Sequence, residues 1–330
     1  MLPLLPMRPR YVNKIWGGNR IGALPGKGAH PPQGSLVGEA WEVADLPEGS
    51  SVVDDGPWKD VPLSTVVARN REHILGSCHV DGRFPLLVKL IDARDDLSVQ
   101  VHPDQAYAKS HTGCFSKDEA WLIVEADEGA HILHGFADGV DAASFASGIT
   151  GSKADAMLRR VVVRPGDVVH VPPGTVHAIG KGLLILEVQE PSDTTFRVYD
   201  YGRLENGKPR ALHVEQALEV AAFGHNAPPR EAPRTVFTAD GVTHETLVAT
   251  RSFSMQRVHL KPGMSHALAL PRGAPGVVFA LGGAVHVESS DSALALARGQ
   301  TAVVPACISN ITLRAGHAGT TAILMLPGAA

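Results

Sequence analysis

The sequence is poor in cysteine, in excess basic charge and in long apolar runs. Its three cysteines, Cys78, Cys114 and Cys307, are widely spaced and form no CxxC pair, which argues against a disulfide framework and a thiolate zinc site. A net charge of -4 provides no basic surface for nucleic acid or for a membrane. No run approaches the length of about 18 apolar residues that spans a bilayer, and the amino terminus lacks the features of a signal peptide. We therefore expect a small-molecule partner and a cytoplasmic location.

Aromatic residues are also few, at 5%, whereas the 330 residues include 34 glycines, 24 prolines and 16 histidines. Most apolar runs are short, alternate with polar residues and are bounded by turns. This pattern is typical of a mainly β protein with barrel or sandwich packing. The histidines are more numerous than in an average chain, and they justify a search for a metal site.

Three brief helical patterns interrupt the strands. They cover Leu63–Leu75, Ala154–Arg160 and Val214–Ala222. Each is short enough to depend on packing against the outside of a sheet, because isolated helices of this length are marginal in water.

A proline-rich segment, Ala227–Pro233, is predicted to be a linker. The chain length also suggests about two domains, and we place them at residues 1–233 and 234–330. Strands are predicted to resume after the linker, at Ser252–Leu260, Gly276–Leu281, Ala284–Glu288 and Gln300–Val304.

An internal repeat relates the two halves of the chain. One pattern of spacings occurs twice, at Gly166, Pro172, Gly174 and His177 and again at Gly299, Pro305, Cys307 and Asn310. We interpret the halves as copies of one barrel unit, of which the second has lost a glycine and the histidine. The first domain would then hold the chemistry and the second would be structural. The alternative is a chance match of Gly and Pro in a glycine-rich chain.

The segment Leu97–His102 alternates apolar and polar residues, as a half-buried strand does. As a strand it would turn Ser98, Gln100 and His102 to one face. We expect this polar face to form part of the functional site.

The spacing of the first copy of the repeat resembles the second sequence motif of the cupin superfamily, which presents a metal-binding histidine. Val168–Val171 would form a strand, the following prolines and glycine a turn, and His177 would begin the next strand facing into the barrel. The first cupin motif supplies two histidines one residue apart and then a carboxylate. Here Gln100 replaces the first histidine, His102 takes the second place, and the carboxylate is delayed to Glu119.

The glutamine indicates a narrower family. Over nearly its whole length the first domain resembles the short bacterial form of type I phosphomannose isomerase (mannose-6-phosphate isomerase). The resemblance implies a fold of two cupin-like jelly-roll barrels, the second of them without metal ligands. The matching stretches are Lys14–Gly18, Gly38–Val43, Pro85–Asp104, Lys117–Trp121, Gly166–Gly180 and Ser192–Arg203.

The resemblance implies one Zn²⁺ ion per chain. Its ligands would be Gln100, His102, Glu119 and His177. Two imidazoles, a carboxylate and an amide oxygen form a suitable site for a divalent ion, with room for water or substrate. Other divalent ions remain possible, because several metals bind such a ligand set.

The reaction implied is the interconversion of mannose 6-phosphate and fructose 6-phosphate through a cis-enediol. The family places a catalytic arginine in the SDTT-x-R stretch, here Arg197, whose guanidinium suits an enediolate or a phosphate oxygen. Asp193 and Lys117 are our candidates for ring opening and proton transfer. Glu187 would share a strand face with Gln189 and bring a further carboxylate near the pocket.

Phosphate recognition has no Gly-rich loop or obvious basic cluster to identify it. Ser98 together with Lys89, Arg197 or Lys208 could supply donors. His170 stands where relatives often have an aromatic residue, and it either lines the pocket or packs as a hydrogen-bonded histidine.

Two other functions fit parts of the pattern. A cupin oxygenase or hydrolase would use iron or manganese on two histidines and a carboxylate, but it would not explain Gln100 or the SDTTFR stretch. A non-catalytic cupin that binds a sugar phosphate would be expected to lose ligands or Arg197, and all these positions are filled.

Overall fold

The structure is a computed structural model that describes residues 2–28, 31, 35–150, 153–224 and 227–328. Strands dominate these residues, which confirms the mainly β fold. In the amino-terminal part the strands are β1 (Leu5–Arg8), β2 (Arg10–Gly18), β3 (Val37–Val43), β4 (Asp45–Leu46), β5 (Gly49–Ser50), β6 (Val52–Val53), β7 (Leu87–Ala93), β8 (Val99–Val101), β9 (Glu119–Ala126), β10 (His131–Phe136), β11 (Leu158–Val162), β12 (Val168–Val171), β13 (His177–Ile179), β14 (Leu183–Gln189), β15 (Phe196–Tyr199), β16 (Leu204–Glu205) and β17 (Lys208–Pro209).

The carboxy-terminal strands are β18 (Arg234–Ala239), β19 (Val242–Ala249), β20 (Phe253–Leu260), β21 (Ser265–Ala269), β22 (Gly276–Gly282), β23 (Val285–Glu288), β24 (Ala293–Leu296), β25 (Thr301–Val304), β26 (Asn310–Ala315) and β27 (Thr320–Pro327). The helices are α1 (Arg20–Ala23), α2 (Leu63–Arg69), α3 (Arg71–Leu75), α4 (Gln105–Ser110), α5 (Ala142–Thr150) and α6 (Val214–Val220), and single 3₁₀ turns cover Pro25–Lys27 and Asp155–Met157. No helix in the described part of the chain is long and apolar enough to cross a membrane.

Two sheets pack against each other in the part of the chain that carries the predicted site. Within the described ranges their strand orders are β12-β9-β14-β7-β2-β3 and β11-β10-β13-β8-β15. Strand β14 lies in the interior of the first sheet, and all seven of its residues are buried. Its Leu183 and Ile185 pack with Ile132 and Ile179 of the second sheet. Glu187 follows on the same inner face, because side chains alternate along a strand. The space between the sheets therefore changes from apolar to polar along β14.

The other face of the first sheet packs against the carboxy-terminal strands. Leu184, Leu186 and Val188 of β14 belong to one apolar core together with Phe253 and Met255 of β20. The carboxy-terminal strands themselves form two further sheets, which in the described residues have the orders β18-β19-β20-β27-β22-β25-β1-β6 and β21-β26-β23-β24.

The amino-terminal strand joins the carboxy-terminal sheet. In β1, Leu5–Arg8, three residues pair with Thr301–Val303. The segment Ala227–Pro233 contains neither helix nor strand and lies between α6 and β18. The predicted division between residues 233 and 234 stays a prediction. The carboxy-terminal sheet that contains β20 also includes β1 and β6, which lie before residue 234.

Two of the three predicted helices are confirmed and one is wrong. The first pattern forms α2 and α3, separated by Asn70, and the last forms α6. At Ala154–Arg160 the structure has a 3₁₀ turn followed by β11, whose Leu158–Val162 pairs with β10. The backbone pairing with β10 outweighs the weak helical pattern, because a helix of two turns has little intrinsic stability.

The two copies of the repeat have the same local structure. Gly166 and Gly299 have φ angles of 92° and 93°, which favour glycine, and a four-residue strand starts two positions after each. The next strand begins at His177 in one copy and at Asn310 in the other. The four carboxy-terminal strand predictions are also confirmed to within two residues.

Candidate metal centre and active site

Three of the predicted metal ligands form one buried cluster. Single ligand atoms of His102, Glu119 and His177 lie within 4.8 Å of one another. The Nε2 atom of His102 is 3.4 Å from Glu119 Oε2, and that of His177 is 3.3 Å from Glu119 Oε1. The two imidazoles thus approach opposite oxygens of one carboxylate.

The cluster is built from strand ends. Glu119 begins β9, His177 begins β13, and His102 directly follows β8. Pro172, Pro173 and Gly174 form the predicted turn before His177. At Gly174 φ is 85°, and an added Cβ would come within 3.0 Å of the Val220 carbonyl oxygen. This position therefore suits glycine on both conformational and steric grounds.

Backbone carbonyls orient both imidazoles. The Nδ1 atom of His102 lies 3.0 Å from the Thr194 oxygen, and that of His177 lies 2.9 Å from the Thr175 oxygen. Because a carbonyl only accepts hydrogen bonds, Nδ1 carries the proton in each ring. Each neutral ring therefore presents the lone pair of Nε2 to Glu119, the arrangement found in metal-binding histidines.

Burial keeps these histidines neutral. It lowers the pKa of His102 to about 3, with Lys117 adding a repulsive charge, and it also lowers the pKa of His177. Burial opposes ionisation of Glu119, but the nearby Lys117 ammonium group outweighs this effect and holds its pKa well below the usual range. The cluster therefore combines two neutral imidazoles with a carboxylate anion.

The Glu119 carboxylate lacks a directed partner. Within the described residues neither of its oxygens accepts a hydrogen bond, although Lys117 Nζ lies 3.0 Å from Oε2 and 3.2 Å from His102 Nε2. A buried carboxylate oxygen without a hydrogen bond is costly. A divalent cation between the two imidazole lone pairs and this carboxylate would satisfy it, so the residues fit a metal ion.

Gln100 lies beside the cluster on β8. Its Nε2 atom is 3.4 Å from His177 Nε2, and its Oε1 atom accepts from the Ser98 hydroxyl at 3.4 Å. The amide nitrogen is thus the atom nearest the cluster, and the role of Gln100 as a ligand through oxygen requires the amide to turn. That role stays a prediction.

A cavity of about 220 Å³ opens next to the cluster. Its lining includes the candidate residues Ser98, Lys89, Glu187, Asp193, Arg197, Lys117, Gln100 and Glu119. Most of these positions come from strands that meet on the inner face, and Asp193 is the exposed member of the set. The structure therefore brings these eight candidate side chains together at one cavity.

Lys89 and Glu187 form a buried pair on one wall of the cavity. Their charged atoms lie 3.4 Å apart, and Trp121 Nε1 donates to the second Glu187 oxygen at 3.0 Å. Burial raises the pKa of Glu187, whereas Lys89 opposes this shift. Burial would lower the pKa of Lys89, but Glu187 and Glu39 reverse the effect and raise it.

Arg197 lies half-buried on β15. Its Nε donates to the Ser98 hydroxyl at 3.3 Å, and its Nη1 donates to the Ala211 oxygen at 3.0 Å. Burial lowers its pKa, and the neighbouring Arg210 acts in the same direction. The guanidinium is therefore fixed in position and reaches the cavity as a cation.

Sequence reasoning missed four charged or titratable residues of the cavity wall. Lys14 and Glu39 form an ion pair of 3.2 Å, and Trp41 donates to Glu39 at 2.7 Å. Arg210 and His213 line the cavity beside Arg197. The first two lie in stretches that carried the family resemblance, but no ligand spacing or acid-base pattern singled them out.

Three other residues that the sequence considered do not line this cavity. Lys208 is exposed in β17. Gln189 is buried and donates to the Glu190 and Ser192 carbonyls. His170 forms a 2.8 Å contact with Asp118 Oδ1, which supports its interpretation as a packed, hydrogen-bonded histidine.

Comparisons with known proteins agree on one family. Residues 4–127 match the family described as phosphomannose isomerase type I, catalytic domain. The chain is 37% identical over 306 residues to the mannose-6-phosphate isomerase of Streptococcus mutans, covering 92% of this chain and 93% of the relative. It is 43% identical over 215 residues to such an enzyme of Bacillus subtilis, covering 64% and 66%.

A solved structure supports the same relationship. The crystal structure of the mannose 6-phosphate isomerase from Bacillus subtilis matches with a TM-score of 0.87 and 31% identity. The match covers 98% of this chain and 99% of that chain. The similarity therefore extends over both the site and the carboxy-terminal sheets.

Proposed function

This chain belongs to the type I phosphomannose isomerase family, and we propose that it interconverts mannose 6-phosphate and fructose 6-phosphate. The observation that carries the proposal is the buried group of His102, Glu119 and His177 at the wall of a polar cavity. An isomerase of this kind needs an electrophilic centre for two sugar oxygens and nearby groups that move a proton. The buried cluster beside the cavity offers ligands for such a centre, and titratable side chains line the cavity.

We assign the metal to His102, Glu119 and His177, with Gln100 as the fourth ligand. Zn²⁺ is the proposed ion, because it accepts imidazole nitrogen together with carboxylate and amide oxygen. When bound, a divalent ion supplies Lewis-acid polarisation of the sugar carbonyl. The hydrogen bonds from the two Nδ1 atoms to the Thr194 and Thr175 carbonyls support this assignment.

The remaining groups handle charge and protons. The proton removed from C2 of the open-chain aldose leaves a negative charge on the enediolate oxygens, and Arg197 is a fixed donor for that charge. Lys117 and Asp193 are the proposed groups for ring opening and proton transfer. Lys117 is supported by its position 3.0 Å from Glu119 at the buried end, and Asp193 by its exposed position on the cavity wall.

Ser98, Lys89 and Glu187 are proposed to contact the substrate. Ser98 holds Arg197 and Gln100 through its single hydroxyl. Glu187 has one buried oxygen without a hydrogen bond in the described part of the chain, and burial raises its pKa. Lys89 supplies the opposing positive charge.

We further propose that residues 1–233 carry catalysis and that residues 234–330 form a cupin-like unit without metal ligands. The support is the second copy of the repeat, where Asn310 stands in place of the histidine.

A cytoplasmic location is proposed because Cys78, Cys114 and Cys307 are all free.

The test measures conversion of mannose 6-phosphate to fructose 6-phosphate by the purified full chain. The protein is assayed as isolated, after chelation, and after addition of Zn²⁺, Mn²⁺ or Co²⁺, with metal content measured in each sample. Turnover is expected to disappear with the metal and to return when it is restored. If the metal-replete protein gives no product, the isomerase proposal is wrong.

A further inference from the structure

The cations that line the cavity differ in how they are neutralised. Each of three lysines has a carboxylate within 3.4 Å, in the pairs Lys14–Glu39, Lys89–Glu187 and Lys117–Glu119. The two arginines of the lining, Arg197 and Arg210, lie beside each other at another part of the wall. Surplus positive charge is therefore concentrated where the arginines are.

A single carboxylate anchors this group. Asp200 accepts from Nε of Arg210 at 2.8 Å and from its Nη2 at 2.5 Å. The same carboxylate accepts from Arg203, which also donates to the Asp96 carbonyl and lies over the Tyr201 ring. Arg203 is thus engaged within the protein, while Arg210 reaches the cavity. The two bonds to Asp200 use two of the five N–H donors of Arg210.

The arginines outnumber the nearby carboxylates. Two carboxylates balance the charge of the three arginines Arg197, Arg203 and Arg210. Asp200 interacts with all three, and Glu205 interacts electrostatically with Arg197. The side-chain hydrogen bonds of Arg197 run to uncharged oxygens of Ser98 and Ala211. Burial and the charge of Arg210 both lower the pKa of Arg197, as expected for like charges held together in a partly buried place. An anion bound to Arg210 would reduce this repulsion.

His213 adds a neutral donor to the same wall. Its Nδ1 accepts the backbone N–H of Arg197 at 3.3 Å, and its own backbone N–H donates to the Arg197 carbonyl at 2.8 Å. Burial, with the charge of Arg197, lowers the pKa of His213, so the ring is neutral at pH 7. Because Nδ1 accepts, the proton is on Nε2. His213 therefore carries an N–H donor beside two arginines on the cavity wall.

We propose that Arg210, held by Asp200, and the Nε2–H group of His213 form, next to Arg197, the subsite that binds the phosphate group of the substrate. A guanidinium group and an imidazole N–H match phosphate oxygens in donor geometry, and the neighbouring charge of Arg197 helps to balance the charge of the dianion. Arg210 and His213 are then the specificity-determining residues that favour a phosphorylated over an unphosphorylated aldose, and Asp200 is a positioning residue. This assignment rests on the proposed isomerase function.

The kinetic experiment uses the metal-replete full chain and the variants Arg210→Ala, Arg210→Lys, His213→Ala and Asp200→Asn. For Arg210→Ala we expect a KM for mannose 6-phosphate about 10- to 100-fold above wild type, with kcat changed less than about threefold, because a charge-assisted ground-state contact is lost. Arg210→Lys and Asp200→Asn should give smaller increases of KM. A further variant, Asp200→Glu, keeps the carboxylate and should have a KM close to the wild-type value. His213→Ala should raise KM by about 5- to 10-fold.

The matched control is Lys208→Ala. Lys208 is exposed in the neighbouring strand β17 and does not line the cavity, yet its removal takes away the same charge as Arg210→Ala. An unchanged KM for this variant shows that contact, and not the general electrostatic field, decides binding. Unphosphorylated mannose is the second control, since its conversion should not weaken in Arg210→Ala.

A binding experiment separates this subsite from the isomerase function. Inorganic phosphate is titrated into each protein by calorimetry, and the rise of Tm with phosphate is measured in parallel. Wild type should bind phosphate and Arg210→Ala should bind at least about tenfold more weakly, whether or not the protein turns over sugar. If wild type lacks isomerase activity but this difference holds, only the proposed function fails.

Other results overturn the subsite. A KM for mannose 6-phosphate and a phosphate affinity in Arg210→Ala within twofold of wild type would remove Arg210 from phosphate binding. An equal increase of KM in Lys208→Ala would show that the general electrostatic field, and not contact with Arg210, decides binding. If Arg210→Ala does not fold, Arg210→Lys and His213→Ala give the same decision, because both must weaken phosphate binding.

Discussion

Gln100 and His177 are register partners on neighbouring antiparallel strands, and their side-chain nitrogens lie 3.4 Å apart. Arg197 is the register partner of Gln100 on its other side. Directly opposed residues of adjacent strands point to the same face of a sheet. One row across β13, β8 and β15 therefore places two candidate metal ligands and the catalytic arginine candidate side by side, although they are far apart in the sequence.

Replacement of His177 by Ala should remove the metal. The variant loses one of the two imidazoles beside Glu119. Even changes in the outer shell of a metal site lower metal affinity by about 10- to 100-fold. We therefore expect less than about 10% of the wild-type metal content after dialysis. Elemental analysis of the purified proteins measures this. His286→Ala is the control, because His286 is exposed on β23, in a carboxy-terminal sheet that contains none of the three cluster residues. Wild-type metal stoichiometry in His177→Ala would refute the ligand assignment.

Replacement of Arg197 by Ala should leave the metal in place while activity falls by about 100-fold or more. The guanidinium belongs to the substrate side of the cavity and is not one of the metal ligands, and loss of one preorganised donor for a developing oxyanion costs on the order of 10² to 10³ in kcat. Turnover and metal content are measured on the same sample. Retention of more than a tenth of wild-type kcat would remove Arg197 from its catalytic role.

Acid should destabilise the protein in part through His134. This residue is fully buried and donates from Nε2 to the His170 carbonyl at 2.9 Å, and burial lowers its pKa from 6.5 to about 4. Between these pH values the unfolded chain binds a proton at His134 that the folded chain does not. The contribution of His134 to the free energy of unfolding is therefore fully present above pH 6.5 and is lost as the pH falls toward 4. The loss from this group is up to about 3 kcal/mol.

Urea unfolding of wild type and His134→Gln at several pH values measures the effect. Glutamine does not titrate in this range, so the variant should lose less stability between pH 6.5 and 4. The other titrating groups are common to both proteins, and the difference isolates His134. Parallel pH profiles would show that His134 makes no such contribution.

A buried ion pair joins the amino-terminal segment to the carboxy-terminal sheet. Lys27 Nζ lies 2.5 Å from Glu42 Oε1, and Thr301 of β25 donates to Glu42 Oε2 at 2.7 Å. Lys27→Met leaves the Glu42 charge buried without its counter-ion, and we expect a loss of about 3 to 5 kcal/mol. The double variant Lys27→Met with Glu42→Leu removes both charges and should lose much less.

Denaturant unfolding of the two single variants and the double variant forms a complete cycle. A large positive coupling between the two sites is expected. If the double variant is as unstable as the sum of the single variants, the two groups do not act as a pair in the folded protein.

Local patterns predicted much of the architecture. The strand Val168–Val171, the start of the next strand at His177 and the helices α2, α3 and α6 are confirmed. The helix at Ala154–Arg160 is wrong, because pairing with β10 is a long-range interaction that a local window does not contain. The glutamine at position 100 carried the family resemblance, which the comparisons support independently.

The sequence by itself determined the mainly β class, the family and the small set of side chains from which a metal site could be built, because alternation, turn chemistry and spacing are local properties. Only the tertiary structure decided that Glu119 lies between two imidazoles whose protons face backbone carbonyls, and that Glu39, Arg210 and His213 reach the same cavity. Those relationships depend on which strands become neighbours and in which register, and strand pairing joins residues whose separation in sequence gives no sign of it. The alternating strand at Leu97–His102 needed its partners β13 and β15 before its polar face became one wall of a site.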